Sequence, residues 1–238
     1  MRFFTEQHKY YCGCDLHAKT MYLCVLDDRG KIVLQRNIKT EPEIFLQSIA
    51  PFREDIVVGV ECMFCWYWLA DLCAREGICF VIGHALYMKA ISGGKAKNDK
   101  IDAHKIATLL RGGSFPIAYV YPPKMRATRD LLRRRTYVVR QRGSMITHVK
   151  NTFAQYNLPD PEQNISRKSE RDGVAELIPD ESARRSVRLD LDLLVFFDKT
   201  LLGLEQEIVR MAKEHDADSY ARIRSVPGIG RILGLVIL

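Results

Sequence analysis

The sequence predicts an α/β chain: a mixed-sheet domain over residues 8–115, a basic helical arm over 123–215, and the start of a further helical domain over 217–238. Three observations carry this. Strand-like and helix-like segments alternate through the first half of the chain. Two long stretches without proline then carry apolar residues at heptad spacing. The chain closes on Ser-Val-Pro-Gly-Ile-Gly followed by an apolar run.

The elements follow in order. "YYCGCDL", "TMYLCVLD" and "KIVLQRNI" read as three strands, the last two joined by a hairpin at "DDRG". Glu41-Pro42-Glu43 opens a short helix through Ile49, with Thr40 expected as its N-cap. "DIVVGVE", residues 55–61, is a continuous apolar run ending on an acid, the pattern of a central strand buried on both faces. "WYWLADLCAREG" is helical with glycine as its stop, and "ICFVIG" is another buried strand. Residues 85–91 form a short helix and "SGGKAKN" a loop. A helix then begins at Asp99 and stops at "RGGS".

Beyond "YPPK" a long helix is expected over 125–153, with Leu132, Val139, Ile146 and Phe153 seven residues apart. A second spans roughly 184–214, with Val187, Leu194, Leu201 and Ile208 at the same spacing. Paired stripes of this kind fit an antiparallel hairpin or a coiled-coil dimer arm. Ordinary helices packing on the first domain would give a similar pattern.

Composition narrows the partners. The chain has 238 residues, 47% of them hydrophobic, and a net charge of +7. The basic excess favours a polyanionic partner, nucleic acid first. No apolar run reaches the roughly 18 residues needed to span a bilayer, and "MRFFTEQHKYY" lacks a signal-peptide core, so a cytoplasmic protein without a membrane partner is expected. The seven cysteines all precede residue 80, and their odd number fits reduced thiols. Cys62-x-x-Cys65 has the spacing of half a zinc site. Cys12-x-Cys14 does not complete it, and no His-x-x-x-His follows.

The acids carry the chemistry. Asp99 and Asp102 lie three apart at a helix start, close enough to serve one metal centre, although acids there also simply complement the helix dipole. Asp15 lies in or at the end of the first strand and Glu61 ends the buried one. Acids are disfavoured in strands and costly when buried unpaired. Convergence of all four would make an oxygen-only site suited to Mg²⁺ or Mn²⁺. The first long helix carries Arg129, Arg133, Arg134, Arg140, Arg142 and Lys150 against Asp130 alone. That imbalance points to phosphate contact rather than to salt-bridge lacing. Lys19 and Lys97 lie near the acids and are further candidates for phosphate neutralisation.

Three stretches, "CGCDLHAKTMYLCVLDDRGKIV", "VVGVECMFCWYWLADLCAREG" and "KAKNDKIDAHKIATLLRGG", resemble the Asp-Glu-Asp-Asp (DEDD) transposases of bacterial insertion sequences, relatives of the pilin-gene invertases. The resemblance covers about residues 10–155. It implies a RuvC-like, RNase-H-type catalytic domain with Asp15, Glu61, Asp99 and Asp102 as catalytic and metal-binding acids. It further implies DNA strand cleavage and exchange, a structured guide RNA, and a homo-oligomer built through the helical arm. Two departures stand out. Cys62, Met63 and Phe64 follow the second acid where the family has small residues and glycine, and the family's catalytic serine belongs to sequence beyond Leu238. A truncated and inactive copy is therefore one expectation. A Holliday-junction-type nuclease on the same fold, an actin-like kinase and a non-catalytic nucleic-acid scaffold are the others. The kinase lacks support at His17, where its first hairpin needs glycine.

Overall fold

A computed structural model describes residues 2–91, 98–161 and 164–238. The chain divides into two compact units, residues 1–123 and 124–238. Among the described residues no helix is long and apolar enough to cross a membrane.

The first unit is a seven-stranded mixed sheet with α-helices. Its strands are β1 (Phe3–Phe4), β2 (Tyr10–Leu16), β3 (Thr20–Asp27), β4 (Ile32–Lys39), β5 (Ile56–Glu61), β6 (Cys79–Gly83) and β7 (Phe115–Ala118). They stand in the order β1-β7-β6-β5-β2-β3-β4. β2, β3 and β4 form an antiparallel meander, and β2–β5 and β5–β6 pair in parallel. Gly30, at φ +86°, makes the β3–β4 hairpin turn and donates its N–H to the Asp27 carbonyl.

The helices are α1 (Pro42–Ile49), α2 (Tyr67–Arg75), α3 (Ala85–Ile91) and α4 (Asp99–Arg111). One face of the sheet carries Cys12, Cys14, Val58 and Val60 into a core shared with Phe45 of α1 and Leu69 and Leu72 of α2. The other carries Tyr11 and Val57 against Ile106 and Leu110 of α4, and Cys24 and Leu26 against Ala103 and Ala107. β5 is buried over five of its six residues, as its unbroken apolar run requires.

Three details differ from the sequence expectation. Glu41, not Thr40, is the N-cap of α1, and its side chain makes no capping bond. Thr40 Oγ1 instead donates to the His17 carbonyl at 2.9 Å. β1 and β7 were not expected. β7 is four residues long and contains Pro116, which cannot donate to a ladder, so nothing in its pattern announces a strand.

The second unit is a helical hairpin with a terminal cap. α5 (Pro123–Gln155) and α6 (Glu181–Arg224) are both longer than the heptad pattern suggested. α6 is broken at Asp216, whose backbone leaves the helical region and whose Oδ1 accepts the Ser219 N–H, restarting the helix. The helices run antiparallel: Arg135 pairs with Glu205 at 2.8 Å, and Arg142 with Asp198 at 2.6 Å. Val149 and Phe153 of α5 bury against Val187 at one end of the hairpin. At the other, Leu131 and Leu132 pack with Ile208, Ala212 and Tyr220. The Pro-Gly-Ile-Gly turn leads into α7 (Arg231–Ile237), whose Leu235 completes that second cluster.

Candidate metal centre

Side-chain alternation decides where the strand acids point. Tyr11 and Gly13 of β2 face α4, so Asp15, two residues on, faces the same way. Val57 and Gly59 of β5 also face α4, and Glu61 continues that row. The parallel ladder runs through Gly13↔Gly59 to Cys14↔Val60, so Asp15 and Glu61 are the next residues on adjacent strands. Both acids therefore stand at the carboxyl ends of parallel strands, where open α/β sheets place their ligand sites.

Close packing brings the helix to them. A Cβ at Gly13 would overlap the Ala103 carbonyl oxygen and lie 2.5 Å from the Ala107 backbone nitrogen. A Cβ at Gly59 would lie 2.7 Å from Leu110 Cδ1. Gly13 thus lets strand backbone approach the helix backbone at Ala103 and Ala107, and Gly59 makes room for the Leu110 side chain. α4 begins at the same end of the sheet. Asn98 caps it, its side chain accepting the Lys100 N–H at 2.9 Å, and Asp99 and Asp102 occupy the first turn.

Asp15 has a side chain only 14% exposed, against 51% for Asp99. His17 Nε2 lies 3.4 Å from Asp15 Oδ2 and 3.8 Å from Asp99 Oδ1. One ligand atom from each of Asp15, His17 and Asp99 falls within 4.8 Å of the others. Asp102 Oδ1 is 3.4 Å from the Lys105 ammonium. Burial pushes the Asp15 carboxyl above its ordinary range, the nearby His17 opposes that rise, and the negative charges of Asp99 and Asp102 add to it. A partly buried acid crowded by two more acids is the electrostatic environment that a divalent cation relieves. The oxygen donors Asp15, Asp99 and Asp102 fit Mg²⁺ or Mn²⁺, and Glu61 is placed by register to join them.

Two of the four predicted acids, Asp15 and Asp99, thus meet with His17 around one point, Asp102 lies close enough for its charge to act on Asp15, and Glu61 ends the neighbouring strand. Lys19 is exposed in the β2–β3 turn. Lys97 lies outside the described residues. His17 was passed over as a site residue. Its one signal was its position two residues after the strand acid, in the turn that faces α4.

The predicted cations of the arm fall into two groups. Arg133, Arg134 and Arg140 are exposed and make no ion pair among the described residues. Arg142 is committed to Asp198, which also holds Arg171 at 2.7 Å, and its guanidinium reaches the Ser166 carbonyl. Lys150 pairs with Asp160 at 3.0 Å on the surface, and Arg129 lies 3.8 Å from Asp130.

Comparison with known proteins bears on the chain's family. A family model described as "Transposase", of the DEDD type named for IS110, matches residues 12–158, a span that holds all four acids and all of α5. The chain is also 21% identical over 231 residues to the transposase for insertion sequence element IS1111A of Coxiella burnetii (strain RSA 493 / Nine Mile phase I). That match covers 94% of this chain and 60% of the relative, so the chain spans about three-fifths of the relative's length.

Proposed function

Since the chain belongs to the DEDD transposase family of insertion sequences, we propose that it binds Mg²⁺ or Mn²⁺ through Asp15, Glu61, Asp99 and Asp102 and acts on DNA strands. The observation that carries this is the approach of Asp15 and Asp99, acids far apart in sequence, around His17 at one end of the sheet, with Asp102 near enough for its charge to act on Asp15. A bound divalent pair would polarise a DNA phosphate and stabilise the departing oxygen. The chain's own part is to fix the position of that phosphate. Asp15 and Glu61 are held by strand ends and Asp99 and Asp102 by a capped first turn, so none depends on a long loop.

The arm supplies the second half of the reading. Arg133 and Arg140 lie seven residues apart, two helical turns, on one exposed face of α5, with Tyr137 between them and 56% exposed. We assign this face to the phosphate backbone of DNA and of a structured guide RNA. Self-association through α6 is part of the same reading. Leu189 and Phe196, also seven apart, are 61% and 60% exposed on a helix whose opposite face is already buried.

Mn²⁺ titration followed by electron paramagnetic resonance tests the centre. The wild-type chain should bind Mn²⁺ and be competed by Mg²⁺, and Asp15→Asn or Asp102→Asn should lose that binding. Equal binding by either variant would remove the basis of the assignment. For the arm, Arg133→Ala and Arg140→Ala should each lower the slope of log K against log salt by about one. An unchanged slope would place the nucleic acid elsewhere.

A further inference from the structure

We propose that Glu6, His8 and Cys79 form a second metal site, of zinc type, at the opposite end of the sheet, with Asp55 orienting the histidine. One ligand atom from each of Glu6, His8 and Cys79 lies within 4.8 Å of the other two. His8 Nδ1 is 2.6 Å from Asp55 Oδ1, so that nitrogen is engaged by a carboxylate. Its Nε2 is buried and has no hydrogen-bond partner. A buried, orphaned ring nitrogen costs free energy unless something occupies its lone pair. A carboxylate on one imidazole nitrogen and a ligand on the other is the usual arrangement around metal-bound histidine.

The donor chemistry sets this site apart from the acidic centre. One sulfur, one nitrogen and one oxygen suit Zn²⁺ or Co²⁺, whereas oxygen donors suit Mg²⁺. Tetrahedral zinc needs its donors roughly 3.5 Å apart, so a closure of at most about 1.5 Å would bring the three donors onto one ion, with the fourth position left to solvent. Burial, and then the charges of Glu6 and Asp55, keep the Cys79 thiol protonated in the metal-free chain. Binding therefore exchanges the thiol proton for the metal: the S–H bond breaks, the Zn–S bond forms, and one proton leaves to solvent. The resulting Cys⁻–Glu⁻–His set neutralises the dication.

Placement gives the site a role. Glu6 and His8 lie in the connection between β1 and β2, and Cys79 is the first residue of β6. Phe4 is buried in the cluster against which Cys79 packs. A shared metal would tie the N-terminal segment to the start of a central strand, adding to the β7 pairing and the buried Phe4 that hold the two-residue edge strand.

Co²⁺ titration of the purified chain tests this, because thiolate–cobalt coordination gives a charge-transfer band in the near ultraviolet. The band should appear at one equivalent, be displaced by Zn²⁺ and not by Mg²⁺. It should vanish in Cys79→Ser and persist in Asp99→Ala and in Cys65→Ser. Glu6→Gln changes an exposed residue and leaves folding intact, and it should weaken Zn²⁺ binding more than tenfold. Asp55→Asn should weaken it about 10–100-fold. Zinc should raise the melting temperature of the wild-type chain and not of Cys79→Ser. No band at one equivalent, or a band that survives Cys79→Ser, overturns the site. Loss of the band in Asp99→Ala would place the metal in the acidic centre instead.

Discussion

Replacing Gly13 with alanine should separate the acidic centre from its helix. The added methyl would collide with the Ala103 carbonyl, sit 2.5 Å from Ala107 N, and come 3.0 Å from Ile106 Cβ. Two of these three neighbours are backbone atoms and cannot rotate away. Relief to ordinary contact requires α4 to withdraw by about 1–1.5 Å, and overpacking of this kind costs about 1–3 kcal/mol. Asp99 and Asp102 ride on that helix, so their oxygens move relative to Asp15 by a similar distance. A displacement of about 1 Å at a reacting centre costs on the order of 100-fold in rate. The assay is a urea unfolding curve paired with Mn²⁺ affinity, with Gly143→Ala as the control. Gly143 is in mid-α5 with nothing within 4 Å of an added Cβ. There alanine should stabilise by roughly 0.5–1 kcal/mol and leave Mn²⁺ binding alone. Gly13→Ala with wild-type stability and wild-type Mn²⁺ affinity would refute the idea that backbone contact sets the acid spacing.

Two further outcomes follow from charge. Asp15 has its carboxyl raised by burial above its ordinary value, so the folded metal-free chain binds this proton more tightly than the unfolded chain. Its stability should therefore fall as pH rises from the unfolded value through the folded one. Asp15→Asn should melt higher than wild type at neutral pH without metal and lose the stabilisation by Mn²⁺; a melting temperature below wild type would contradict this. Burial would raise Asp198, but the guanidiniums of Arg142 and Arg171 overcome it and hold its carboxyl below the ordinary range. The stability it contributes should be present above the unfolded value and lost as pH falls through the lowered one. Asp198→Ala leaves Arg171, 5% exposed, without its carboxylate, and should cost about 3–5 kcal/mol in thermal or urea unfolding. A loss below about 1 kcal/mol would show that the triad is screened by solvent.

Much of the fold was legible because local signals agreed with it. The alternation in "KIVLQRNI", the unbroken "DIVVGVE" and the "RGGS" stop of the helix from Asp99 each marked an element that formed. β7 escaped because Pro116 argues against a strand and the segment is too short to show a period. The acids were legible as types in unusual places, Asp15 in a strand and Glu61 at the end of one. Their approach to α4 was not, because it depends on Gly13 meeting Ala103, 90 residues away, and no period links the two. Arg142 illustrates the opposite error. In sequence it is one more cation on a basic helix, and only the fold reveals that Asp198 and Arg171 claim it. The cysteines show the same limit. Cys62-x-x-Cys65 has metal spacing, yet Cys65 Sγ donates to the Leu16 carbonyl. Cys79 has no spaced partner, and the fold sets it beside His8.

The strand β5 has an acid at each end, Asp55 before it and Glu61 at its close, with five buried apolar residues between. Six residues of extended chain separate the two carboxylates by about 20 Å. At that range, two unit charges in a medium of effective dielectric 20 interact by less than about 1 kcal/mol before salt reduces it further. β5 thus works as an insulating spacer. Substitutions at one terminus should leave metal affinity at the other unchanged, and double variants across it should combine additively. Each end is free to vary in donor type or charge without disturbing its counterpart.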